Sequence, residues 1–87
     1  MTIYKYPLEI TDEQAVMMPT LCKIITVQMQ HGKPCLWAIV NEHDRISRLR
    51  TIDIFGTGNP MDNQERAYIG TIQQAGGALV WHVFERL

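Results

Sequence analysis

Apolar and polar positions alternate with a period of two along most of the chain, in short runs separated by Gly, Pro and charged clusters, which is the pattern of half-buried β-strands. Thr2 to Tyr6 (TIYKY) sets Ile3 and Lys5 on one face and Tyr4 and Tyr6 on the other. Pro7 then removes a ladder donor, which predicts an edge strand. Leu8 and Ile10 keep the period of two around Glu9. Thr11 and Gln14 stand at capping-box spacing. Pro19 and the β-branched run after it leave no room for a helix, so the pattern predicts a loop and then a short strand over Ala15 to Met18.

Cys22 to Gln30 (CKIITVQMQ) is the clearest strand, with Ile25, Val27 and Met29 on one face and Ile24, Thr26, Gln28 and Gln30 on the other. HGKP, residues 31 to 34, predicts a hairpin connection into Cys35 to Asn41. In that strand Trp37 and Ile39 oppose Leu36, Ala38 and Val40, so both faces are apolar, as in a central strand. NEHDRISR, from Asn41 to Arg48, predicts an exposed loop or a helical turn. Leu49 to Phe55 resumes alternation and runs into GTGNP at 56 to 60, where two glycines and a proline stop it. MDNQER, 61 to 66, has room for one helical turn at most. Ala67 to Gln74, a tight AGGA turn, and Ala78 to Arg86 complete the pattern. The expected fold is one all-β domain over 1–87, a small antiparallel β-sandwich or partly open barrel of six to seven short strands. The doubly apolar strands around Trp37 and Trp81 predict a homo-oligomer, with a symmetric dimer as the default.

Composition narrows the function. With 87 residues, 46 % of them hydrophobic and 20 % charged, the chain can fold one packed core. Its net charge of -1 supplies no general field for a polyanion, which argues against generic nucleic-acid binding. The longest apolar run, Cys35 to Val40, is six residues, against the ~20 that a membrane helix needs. The opening MTIYKYPLEITDEQ has charges and a proline where a secretion signal needs an apolar stretch, which predicts a cytoplasmic protein. Cys22 and Cys35 therefore read as reduced thiols on strands. Together with His31, His43 and His82 they match no zinc spacing, so no metal and no cofactor is expected.

No residue set predicts catalysis. Ser47 is the only serine, and its neighbours His43 and Asp44 share its loop rather than converging from distant segments. GTGNP is a different case, because closely spaced glycines let backbone N–H groups point into one anion-accepting concavity, although the same residues also make an ordinary strand-terminating turn with positive φ. Arg48 and Arg50, on the strand entering this loop, are the candidate cations for a phosphate. Trp81 offers a stacking face, while His82 is a polar ring among apolar neighbours that needs a partner. The expected ligand-binding set is Arg48, Arg50, Gly56, Thr57, Gly58, Asn59, Trp81 and His82. Loss of Arg50 is expected to weaken binding with little effect on stability. Gln28, Gln30, Gln73 and Gln74 read either as an uncharged hydrogen-bonding surface or simply as the wet face of the sheet, and Trp37, like Trp81, either as a core residue or as a stacking face.

The ordered motifs YKYPLEITDEQ (4 to 14), MP (18 to 19), VQMQ (27 to 30), PCLWAIVN (34 to 41), GTGNP (56 to 60), YIGT (68 to 71) and GALVWHVFE (77 to 85) cover almost the whole chain. In this order they resemble a family of small phage and prophage proteins of unknown function. The segment from Glu42 to Leu49 departs most from it. The resemblance implies a phage accessory protein acting in the cytoplasm of an infected bacterium, and it brings no catalytic residues. The resulting expectation is a non-enzymatic protein that counters host defence by sequestering a small anionic, nucleotide-type signalling ligand. The alternatives are an interaction module that inhibits a host protein, or a minor virion or assembly component.

Overall fold

The computed structural model describes residues 1–87 and consists of strands in two antiparallel sheets. The strands are Thr2–Pro7 (β1), Glu13–Pro19 (β2), Cys22–Gln30 (β3), Lys33–Val40 (β4), Ser47–Gly56 (β5), Arg66–Gln74 (β6) and Leu79–Arg86 (β7). A three-stranded sheet has the order β1-β4-β3, and a four-stranded sheet the order β2-β5-β7-β6. All seven strands fall within two residues of the boundaries that alternation predicts. β1 is an edge strand and β4 a central one, as expected. No helical turn forms over 61 to 66, and no helix is long and apolar enough to cross a membrane.

The Cα atoms span 41 × 31 × 16 Å, thin enough for two sheets about 10 Å apart. Val27 and Leu36 of the smaller sheet pack against Ile52, Ile54, Ile72 and Val83 of the larger, with Leu8 sealing the same core. Met18 packs on Ala38 and Val40 in a second cluster. Cys22 and Cys35 are free thiols. They lie on opposite faces of one sheet, because Cys22 pairs with the core-facing Val40 while Cys35 alternates with the core-facing Leu36.

Two bulges set the shape. Pairing of β3 with β4 shifts between Ile24 and Thr26, so Ile24 joins Val27 and Met29 over the core, and Ile25 is left 41 % exposed. This corrects strict alternation, which groups Ile25 with Val27; the extra residue of a bulge inverts the parity behind it. Pairing of β6 with β7 shifts between Tyr68 and Gly70. There β6 approaches β3 so closely that a Cβ on Gly70 would stand 2.8 Å from Val27 Cγ1. Glycine is required at this contact between the edges of the two sheets.

The β3–β4 hairpin turns on His31 and Gly32 alone, with φ of 51° and 78°. Positive φ at both central residues is the type I′ geometry that suits the twist of a hairpin. The tight AGGA turn between β6 and β7 is a single 3₁₀ turn at Ala75–Gly77.

Candidate functional site: a basic outer face around Trp37

The structure divides the eight expected site residues into two groups. Gly56, Thr57, Gly58 and Asn59 lie beside Trp81 and His82, because Gly56 pairs with Trp81 across the β5–β7 ladder. Thr57 Oγ1 is 2.7 Å from His82 Nε2, and Thr71 Oγ1 is 3.1 Å from His82 Nδ1, which supplies the partner that a half-buried imidazole needs. The Trp81 indole N–H donates to Gln74 Oε1 at 2.9 Å.

Two of the loop's donors, however, are bonded within the protein. The Asn59 N–H donates to the Gly56 carbonyl at 3.0 Å, with Gly58 at φ 90°, as in a type II turn. The Thr57 N–H donates to the Val80 carbonyl at 3.2 Å. GTGNP is thus a strand-terminating turn braced on β7, and those two donors are not free for an anion.

The arginines lie elsewhere. Arg50 is six positions before Gly56 on β5, about 20 Å away at ~3.3 Å per residue. Its side chain points between the sheets, where Nη2 donates to Glu85 Oε1 at 2.8 Å, Nε to Glu85 Oε2, and Nη1 to the Cys22 carbonyl at 3.2 Å. Arg50 is therefore a buried structural cation and not part of a loop site. Arg48 is exposed at the start of β5, opposite Met18, and does not reach the loop. Asp44, near Ser47, instead accepts the N–H groups of Leu21 at 2.8 Å and Ile46 at 3.0 Å. These bonds pull its carboxyl below the usual range.

The outer face of the four-stranded sheet also ties up its charges internally. Asp53, 1 % exposed, accepts Arg66 Nε at 2.7 Å, Arg86 Nε at 3.0 Å and Arg86 Nη2 at 2.7 Å. Burial opposes its charged form, but the two guanidiniums prevail and hold its carboxyl below the ordinary value. Arg66 continues to Asp62 and lies over the Phe55 ring, and Arg86 continues to Glu13. In this network three carboxylates, Asp53, Asp62 and Glu13, meet two guanidiniums, and Asp12 lines the same cleft.

The outer face of the three-stranded sheet is the reverse. Trp37 stands on it between Lys5 of β1 and Thr26 of β3, and Ile39 between Ile3 and Lys23. Leu36, Ala38 and Val40 alternate with these residues and are fully buried, which fixes Trp37 and Ile39 outward; neither packs on the core. Lys5 Nζ crosses β4 to donate to Gln30 Oε1 at 2.8 Å, over the buried Cys35. Lys33 shares this face and pairs with Glu9 at 3.0 Å, while Lys5 and Lys23 have no carboxylate partner. The face therefore combines a half-buried indole, two ammonium groups without a carboxylate partner and the side chains of Thr26, Gln28 and Gln30. Sequence reading leaves Trp37 between core and stacking face and the glutamines between a wet face and a hydrogen-bonding surface; it misses the lysines because they come from three separate strands of a chain whose net charge is -1.

Over its full length, residues 1–87, the chain matches a family described as Domain of unknown function (DUF7352). No curated protein and no solved structure matches it.

Proposed function

We propose that this chain, which belongs to the DUF7352 family, is a non-enzymatic binding protein that captures a small nucleotide-type anion on the outer face of β1-β4-β3. The observation that carries this reading is the cross-strand placement of Lys5 beside Trp37, next to an Ile39–Lys23 pair. An indole offers a stacking surface to any base, and ammonium groups attract phosphate. The side chains of Thr26, Gln28 and Gln30 add hydrogen-bonding groups beside them. The positive charge expected from Arg48 and Arg50 is supplied here by lysines. The likeness in motif order to small phage and prophage proteins supports an accessory role in the cytoplasm of an infected bacterium, where removal of a nucleotide signal would blunt host defence.

A second reading, a module that covers a host protein, draws support from the exposed Ile3 and Leu21, which are 57 % and 66 % accessible at this face and its end. Calorimetric titration of the full chain with linear and cyclic nucleotides, with inorganic phosphate as the control, separates the two. Heat with a nucleotide and loss of that heat in Trp37→Leu support capture. Absence of heat with every nucleotide overturns it in favour of the second reading.

A further inference from the structure

We infer that the captured anion acts as the bridge of a homodimer, with the outer faces of β1-β4-β3 from two copies closing on one nucleotide. This inference rests on the capture reading above and adds its stoichiometry. Three observations lead to it. First, the face is apolar at its centre and partly uncovered: Ile3 is 57 % exposed, and Trp37 and Ile39 are half-buried without touching the core. Such a face gains from being covered.

Second, the face opposes a bare copy of itself. Lys5 and Lys23 have no carboxylate partner, and Glu9 at its rim is paired to Lys33. Two such faces brought together by a two-fold axis place like charges opposite one another, which disfavours contact. A phosphate-bearing ligand between them reverses the sign of that interaction, since each ammonium then meets an anion.

Third, the face is small. Strands of this length and number cover roughly 360 Å² per copy, so two copies bury roughly 700 Å², short of the ~1,200 Å² at which stable protein interfaces begin. Protein contact alone is insufficient, and a stacked base clamped between two Trp37 rings supplies additional buried surface. A single copy, in turn, covers only one side of a ligand lying on a flat sheet. The partner copy thus contributes its own Trp37 and Lys5 to the site.

The test is sedimentation velocity of the full chain, with native mass spectrometry for stoichiometry, in the absence and presence of each nucleotide that gives calorimetric heat. The expected result is a monomer without nucleotide and a dimer holding one nucleotide with it. Ile3→Ser, on the edge strand β1, removes exposed apolar surface that the second copy would cover and is expected to weaken the dimer while leaving one-to-one binding measurable. Binding at one nucleotide per monomer with no change in sedimentation overturns the bridge and leaves capture standing. A dimer that forms equally well without nucleotide also overturns it. Failure of every nucleotide to bind removes the capture reading itself.

Discussion

Arg50 and Glu85 meet side-on between the two sheets, with Nε and Nη2 of the guanidinium donating to the two oxygens of one carboxylate. Their side chains are 8 % and 14 % exposed, and the remaining Nη1 donates to the Cys22 carbonyl of the opposing sheet. The pair therefore joins β5 and β7 and also ties them to β3. Arg50→Ala should destabilise the fold by about 3 to 5 kcal/mol, because it leaves the largely buried Glu85 carboxylate without its partner. The double change Arg50→Met with Glu85→Leu should recover most of that loss. Urea unfolding of the single and double variants measures both, and equal stability of Arg50→Ala and the parent would contradict the structural role.

Gly70→Ala tests the closest approach of the two sheets. The added methyl would lie 2.8 Å from Val27 Cγ1, and Val27 is a short, β-branched side chain fixed in the core. The expected loss is about 1 to 3 kcal/mol, the usual range for overpacking. Adding Val27→Ala to it should cost less than the sum of the two single changes, which a double-mutant cycle by thermal or urea unfolding reads directly.

Asp53 gives stability a defined dependence on acid. Its folded carboxyl lies below the ordinary value despite burial, owing to Arg86 and Arg66, which stay protonated across the accessible range. A depressed folded pKa contributes stability that is fully present above the unfolded value of about 3.9 and is lost as pH falls through the folded value. The melting temperature should therefore be flat in Asp53's contribution from neutral pH down to about 5 and drop below about 4. Asp53→Asn should be less stable at neutral pH and show a shallower acid limb; an acid limb as steep as the parent's would contradict this assignment.

Gly58→Ala separates the GTGNP turn from the proposed ligand face. Gly58 sits at φ 90° with open space where a Cβ would go, so the strain is conformational and not steric. A loss of about 1 to 2 kcal/mol is expected in thermal unfolding, with nucleotide affinity unchanged in the folded protein. A large loss of affinity at full folding would return the turn to the site.

Much of this architecture was legible in the chain because strand periodicity and turn chemistry are local signals. The segments from Cys22 to Gln30 and from Ala67 to Gln74 are visible as strands from their residue types and the turns that bound them, and Gly58 from the need for positive φ. Local signals fail where parity depends on a partner. The bulge at Ile25 exchanges the faces of Ile24 and Ile25 through a register shift against β4, which no window of β3 contains. The site was less legible for the same reason. Arg50 and the GTGNP turn are near in sequence but separated along β5, whereas Lys5, Lys23 and Lys33 come together only through the order β1-β4-β3. Ile3 with Lys5 and Trp37 with Ile39 were each recognisable as pairs sharing a face; which pair adjoined which required the register.

Nucleotide affinity on the β1-β4-β3 face should fall with salt, because exposed ammonium groups are screened over a Debye length of about 8 Å at physiological ionic strength. Lys5→Gln should weaken binding and flatten that salt dependence, while Arg48→Ala leaves both unchanged. Titrations of the three proteins over a series of salt concentrations compare the slopes, and a parent slope of zero would contradict recognition by lysines.

The most direct measurement is calorimetric titration of the parent and of Trp37→Leu with one panel of linear and cyclic nucleotides and inorganic phosphate. Trp37 faces outward and does not pack on the core, so the leucine variant should remain folded by circular dichroism. Saturable heat is predicted for at least one nucleotide with the parent, with affinity about 5- to 150-fold weaker in Trp37→Leu, the range for losing one stacked base, and weaker still for inorganic phosphate. Saturable binding of equal affinity in both proteins, or no heat from any nucleotide with the parent folded, contradicts the assignment of this face as the site of capture.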